Sequence, residues 1–230
     1  MDMKVLYEDN HIIAVEKPAG VLTQGDKSGD VSLFNMVKDY LKEKYQKPGN
    51  VFLGLVHRLD KPVQGIVLFA KTSKGASRLS EQFRNHTIQK TYHGIVIGRP
   101  KQQKGSIKEQ VNKISFFAEG FTNKTDEELL AEIKKATKTR TAELEYEVVK
   151  SNEKYSLLKI LPKTGRFHQI RIQMQQMGCP ILGDEKYGAQ NALHDRSIAL
   201  AATAIEFKSA TDNKEIKLEI PLPESWKNYL

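Results

Sequence analysis

The stretch His57-Arg58-Leu59-Asp60-Lys61-Pro62-Val63-Gln64-Gly65-Ile66-Val67-Leu68-Phe69-Ala70 sets the reading of this chain. Its second half, Ile66 to Ala70, is an unbroken apolar run of strand length and reads as a buried strand. Its first half is basic and turns sharply through Pro62 and Gly65. Asp60 therefore stands between Arg58 and a turn, at the mouth of a core strand. Carboxylates that serve solubility are scattered over a surface. One in this setting is positioned, which makes Asp60 the first candidate for chemistry.

Outward from that stretch, His11 to Val15 reads as a strand that stops at the turn Lys17-Pro18-Ala19-Gly20. Ser32 to Lys42 has helical spacing, with Leu33, Met36, Val37, Tyr40 and Leu41 on one side. After Ala70, Thr72 or Ser73 caps a helix carrying Ala76, Leu79 and Phe83, and Tyr92 to Ile97 returns as a strand. That strand–helix–strand order is compatible with a parallel pair. Pro100 to Lys138 is lysine-rich and less regular, with one short helix candidate behind the capping box Thr125-Asp126-Glu127-Glu128. Ala142, Leu144, Tyr146 and Val148 alternate with glutamates, the mark of a half-buried strand. Tyr155 to Leu161 is another strand. Arg166 to Met177 reads as a helix with Phe167, Ile170, Met174 and Met177 on one face, stopped by Gly178 and Pro180. Ser197 to Phe207 and Lys214 to Leu222 close the chain as strands. Many strands with few helices indicate an α+β fold: a mixed, largely antiparallel sheet with flanking helices and a central cleft.

The chain has 230 residues, 39% of them hydrophobic, enough for a substantial core. No Gly/Ser- or Pro-rich linker divides it, so 1–230 is read as a single domain with a lysine-rich elaboration at about 100–138. Lysine and arginine outnumber aspartate and glutamate by 36 to 28, a net charge of +8. That balance favours a polyanionic partner, nucleic acid first. Cys179 is the single cysteine, so no internal disulfide forms, which fits a reducing compartment. Its place between Gly178 and Pro180 argues against a catalytic thiol. The N-terminus lacks a signal peptide's apolar core, and no apolar run approaches the roughly 20 residues that span a bilayer. A cytoplasmic protein without membrane contact is expected.

A second basic motif runs Lys163-Thr164-Gly165-Arg166-Phe167-His168-Gln169-Ile170-Arg171. On a helix, His168, Arg171 and Gln175 share a polar face. A guanidinium on such a rigid element can grip a carboxylate through two parallel hydrogen bonds, and Asp60 is the carboxylate assigned to it. Tyr92, two residues after Lys90, can stack on a base, although a lone tyrosine is more often an ordinary core residue. Tyr187 carries the same ambiguity. The six histidines show no metal-ligand spacing. Glycine-rich phosphate loops and a Gly-x-Ser-x-Gly elbow are both missing. Neither a metal nor a cofactor is expected.

Taken together, five motifs resemble the RluA-type RNA pseudouridine synthases. They are His57-Arg58-Leu59-Asp60 with Gly65 and Ala70-Lys71-Thr72; Lys90-Thr91-Tyr92; Thr164 to Arg171; Gly178-Cys179-Pro180-Ile181-Leu182-Gly183-Asp184-Glu185-Lys186-Tyr187-Gly188; and the opening Tyr7 to Gly20. The resemblance runs from about Val5 to Leu222. It implies a pseudouridine synthase fold and an isomerase that converts uridine in rRNA or tRNA to pseudouridine, without cofactor or metal. Asp60 matches the family's nucleophilic aspartate, Tyr92 the tyrosine against the target base, and Arg171 the basic residue paired with the aspartate. Arg58 lies where the family's motif arginine helps hold the base out of its stack. His57, Arg166 and His168 fall at motif positions expected to contact RNA or support the site.

The chain departs from the family where Val63-Gln64 replace Thr-Ser before Gly65, which weakens a hydroxyl support for the Asp60 loop. After Arg171, Ile172 keeps the family's hydrophobic residue, but Gln173 stands where the family often has a histidine. An N-terminal S4 domain is not expected before Val5, so RNA recognition falls to this domain, working as a monomer. Two other readings compete. A non-catalytic RNA-binding protein on the same fold gains nothing from a positioned carboxylate. An Asp-dependent nucleoside hydrolase needs a second carboxylate, and only Asp184 sits in a motif.

Overall fold

The computed structural model describes residues 3–25, 29–111 and 140–230. The strands are β1 (Lys4–Glu8), β2 (Ile12–Lys17), β3 (Gly54–Leu55), β4 (Gln64–Ala70), β5 (Gln89–Ile97), β6 (Lys104–Val111), β7 (Arg140–Ser151), β8 (Tyr155–Pro162), β9 (Leu200–Lys208) and β10 (Glu215–Glu219). The helices are α1 (Leu33–Lys44), α2 (Ser73–Arg84) and α3 (Gln169–Gln176). The strands form one sheet in the order β1-β2-β4-β9-β5-β8-β7-β6, with β3 beside β4 and β10 beside β9. All pairings are antiparallel except β4 with β9, so the sheet is mixed and largely antiparallel, as expected.

Local chemistry explains the elements. Ser32 caps α1 by accepting from the Asn35 amide, and Thr72 caps α2 by accepting from Gly75. Strands β2 and β4 carry continuous apolar runs, Ile12 to Val15 and Ile66 to Ala70, because both faces are covered there. Ile13, Val15, Val67 and Phe69 pack in the core with Leu33, Val37 and Leu41 of α1. Ile12, Ala14, Ile66 and Leu68 pack on the other face with Leu79 of α2. Strand β7 keeps the predicted alternation: Ala142, Leu144 and Tyr146 are buried. Its outward glutamates pair with lysines, Glu147 with Lys104 at 2.8 Å and Glu143 with Lys108 at 3.2 Å.

One pairing left open by the sequence is settled, and one expectation is corrected. The β4–α2–β5 order does not make a parallel pair, because β9 inserts between β4 and β5. The helix read over 166–177 begins only at Gln169. Gln169 explains the late start. Its side chain accepts from the Thr164 hydroxyl and the Arg166 amide and donates to the Glu143 carbonyl, which holds residues 164–168 as a turn. His168 adopts the left-handed region, φ 48°, just before the helix. Phe167, assigned to the core face, is 51% exposed.

The lysine-rich segment contributes β6, a regular strand where little order was expected. The helix candidate at 125–133 lies outside the described residues. The two closing strands are shorter than read, at 200–208 and 215–219.

Gly65 fixes the central seam. It pairs with Ala202 where β4 meets β9, at φ +131°. A Cβ at this position would overlap the Ala202 backbone, so only glycine lets the two strands close.

Candidate active site

The loop between β3 and β4 carries Asp60 and is held from outside itself. The Asp60 carbonyl accepts from the Val63 amide at 3.1 Å, closing a turn through Pro62. Thr23 clamps Leu59 on both sides: its hydroxyl donates to the Leu59 carbonyl at 2.7 Å and accepts from the Leu59 amide at 3.1 Å. The hydroxyl support that Val63 and Gln64 cannot give thus comes from a different loop. Lys17, at the end of β2, is fully buried. Its ammonium donates to the carbonyls of Pro18, Val21 and Lys61 at 2.9, 2.7 and 3.1 Å. Three acceptors match its three donors and tie the Lys17-Pro18-Ala19-Gly20 turn to the residue after Asp60. Burial pulls this lysine down to about 7, against the pull of the Asp60 carboxylate.

Asp60 opens onto a cavity of about 520 Å³, lined also by Arg58, Lys90, Tyr92, Arg166 and Arg171. A second cavity of about 430 Å³ meets it at Asp60 from the side of Thr23 and Phe167. The structure therefore brings the sequence-predicted Asp60, Tyr92 and Arg171 to one place. Burial raises Asp60 above the usual carboxylate range, while Arg171, Arg58 and Lys17 pull it down. Burial and the same carboxylate push the Tyr92 hydroxyl upward, so it stays neutral.

Arg171 projects from the first turn of α3 and is only 6% exposed, not on a solvent-facing polar face. Its main partner is not Asp60. Nε donates to Asp184 Oδ2 at 2.6 Å and Nη2 to Oδ1 at 2.8 Å, two parallel bonds to a carboxylate 1% exposed. The remaining Nη1 reaches Asp60 Oδ2 at 3.3 Å. Asp184 was legible only as a motif member. An acid directly after Ile181-Leu182-Gly183, within an apolar context, was the available signal that it is buried and needs a cation.

The flanking candidates divide. His168 lies between the two acids' networks, with Nε2 3.5 Å from Asp60 Oδ2 and Nδ1 sharing a 2.7 Å hydrogen bond with the Tyr187 hydroxyl. Phe167 stacks on its ring at 3.8 Å, and the Arg171 guanidinium lies 4.8 Å over the Tyr187 ring. Burial and the Arg171 charge lower His168 to about 3, so it is neutral at pH 7. His57 lines the cavity, but its Nε2 accepts from the Leu68 amide at 2.8 Å and its ring packs on Phe83. Burial and Lys90 lower it to about 3. This histidine fastens the loop to β4. Arg166 donates through Nε to the Thr141 carbonyl, which fixes it at the cavity wall. Arg58 is exposed at the rim. Among the described residues no group of three His, Cys, Asp or Glu side chains could hold a metal ion, and no helix is long and apolar enough to cross a membrane.

Comparison with known proteins gives the same direction. Residues 11–176 match the family model described as RNA pseudouridylate synthase. The chain is 34% identical over 221 residues to the ribosomal large subunit pseudouridine synthase C of Rickettsia prowazekii, covering 95% of this chain and 68% of that protein. It is 28% identical over 243 residues to the tRNA pseudouridine synthase C of Vibrio parahaemolyticus, covering 99% and 93%. Its fold is that of human RNA pseudouridylate synthase domain containing 4, with a TM-score of 0.76 at 21% identity over 97% of this chain and 90% of the other. A family match across most of the chain, on a fold that gathers a carboxylate, a tyrosine and an arginine in one cavity, makes this chain a member of the RluA-type RNA pseudouridylate synthase family, an isomerase acting on RNA.

Proposed function

We propose that this enzyme converts uridine in ribosomal or transfer RNA to pseudouridine, with Asp60 as its nucleophilic carboxylate. The observation that carries the proposal is the setting of Asp60. It is three-quarters buried at the junction of two cavities, it has a guanidinium on one oxygen, and it has access to solvent. The reaction breaks the N1–C1′ bond, turns the uracil and joins C5 to C1′. C5 loses a proton and N1 gains one, so no atom is lost overall. The base must stay in the pocket while it turns, which suits a stacking ring beside the carboxylate. Tyr92 is assigned that stacking role. Asp60 serves C1′ by covalent attack or by stabilising positive charge there. Arg171 holds Asp60 in its ionised form and orientation. The target uridine must leave its stack, at a cost of about a few kcal/mol, which favours uridines in loops. The name of the Rickettsia relative supports a ribosomal target and that of the Vibrio relative a transfer RNA target.

The test compares wild type with Asp60→Ala on uridine-labelled ribosomal and transfer RNA, assaying pseudouridine. Product from wild type alone supports the assignment. Equal yield from both proteins rejects it. RNA affinity measured in parallel, unchanged in the variant, separates binding from chemistry.

A further inference from the structure

Lys90 lines the main cavity, and the reading above has no use for it. It sits on β5 two residues before Tyr92, so both side chains leave the same face of the strand. Both line the 520 Å³ cavity. The Lys90 ammonium lies under the Thr164-Gly165 turn, where a Cβ on Gly165 would come within 3.6 Å of it. The side chain is half-buried, and among the described residues no carboxylate pairs with it. Burial alone acts on it and lowers its affinity for a proton. A desolvated, unpaired ammonium is a cost to the fold unless something anionic completes it. Asp60 does not fill that need, because its ion pair is with Arg171.

We propose that Lys90 binds a phosphodiester of the RNA, the one adjoining the uridine held over Tyr92. The proposal rests on the reading of this cavity as the uridine pocket, and it names the group that seats the backbone there. One residue pair along a strand spans roughly 7 Å, which suits a base on Tyr92 and a phosphate on Lys90. Outward from Lys90 the cavity continues to Arg84 and His86 at the end of α2, both exposed, and to Arg166. The backbone thus has a cationic path from the rim to Lys90. A uracil oxygen is a poorer partner, since a neutral carbonyl leaves the buried charge uncompensated.

The experiment reads affinity, so its outcome is independent of what Asp60 does in turnover. The probe is a fluorescent stem-loop RNA with a single loop uridine, titrated with wild type, Lys90→Met, Lys90→Gln and Lys90→Arg at several salt concentrations. Methionine keeps the length of the lysine stem and removes a buried charge, and glutamine gives a polar control should methionine misfold. Loss of one charge-assisted contact weakens binding about tenfold or more in both neutral variants. The slope of log affinity against log salt becomes shallower by about 0.7, the counterion share of one single-strand phosphate. Lys90→Arg keeps the wild-type slope. A methylphosphonate replacing the phosphate on one side of the uridine weakens wild type and leaves Lys90→Met unchanged. Equal slopes in wild type and Lys90→Met overturn the proposal. So does a methylphosphonate penalty of the same size in both proteins, on either side of the uridine.

Discussion

Arg171 divides one guanidinium between two acids, and variants read that division. Arg171→Ala leaves Asp184 as an unpaired charge that is 1% exposed, so it should cost about 3–5 kcal/mol of stability as well as activity. Chemical denaturation checks the first and turnover the second; an unchanged denaturation midpoint would contradict the paired hydrogen bonds to Asp184. Asp184→Asn is the subtler change. It removes one claimant on the guanidinium, strengthening the pull of Arg171 on Asp60. On the mechanism proposed above, turnover needs the ionised Asp60 carboxylate and falls as pH drops through its pKa, which burial has raised. In wild type the acid limb of kcat/KM therefore lies above the ordinary carboxylate range, and in Asp184→Asn it moves to lower pH. The neighbouring His168, lowered to about 3, does not titrate in that window. At this scale the meeting of Asp60, Tyr92 and Arg171 in one cavity was legible because each sits in a short local motif. The bond to Asp184 was not, because it joins residues 13 apart across the Gly178-Cys179-Pro180 turn, and packing alone decides that they meet. Lys17 was read only as part of a turn; its burial depends on the Asp60 loop folding over it.

Among the elements, the seam of β4 and β9 is short, two residue pairs in parallel. Gly65→Ala forces a side chain into the Ala202 backbone at a positive φ, and should destabilise by about 3 kcal/mol or more, as overpacking combined with backbone strain does. A denaturation midpoint within error of wild type would refute that account. Strands β2, β4 and β7 were legible because burial imposes its period directly on the sequence, continuous where both faces are covered and alternating where one is. The neighbour of β4 was not legible. It arrives more than a hundred residues later, and no local pattern records strand order. The start of α3 was misplaced for a related reason. The side-chain bonds of Gln169 to Thr164, Arg166 and Glu143 outcompete the helical continuation that periodicity suggested.

For the whole molecule, acid sensitivity has an identifiable contributor. Glu8 ends β1 and binds Lys44 at the end of α1, Lys71 after β4, and the Tyr45 hydroxyl, at 2.7, 2.6 and 2.7 Å. Burial pushes its pKa up, but those three donors win and hold it at about 2, against an ordinary 4.5. Its contribution to stability is complete above 4.5 and is lost as pH falls from there toward 2. Glu8→Gln should therefore lower stability at pH 7 and flatten its decline over that interval, as unfolding curves at stepped pH would show. The net charge of +8 was legible at once, but its placement was not. Lys104 and Lys108, in the segment read as a lysine-rich elaboration, face glutamates on β7. Among the described residues other cations line the cavity, and the two acids around Arg171 show why that matters. Asp60, Asp184 and Arg171 together sum to one negative charge at the bottom of the cleft, while Arg58 and Arg84 stand at its lip. Such a gradient sorts a nucleotide by its parts: the anionic ribose-phosphate ribbon is carried by cations from the lip inward to Lys90, and the uncharged heterocycle is the piece free to descend to the acids.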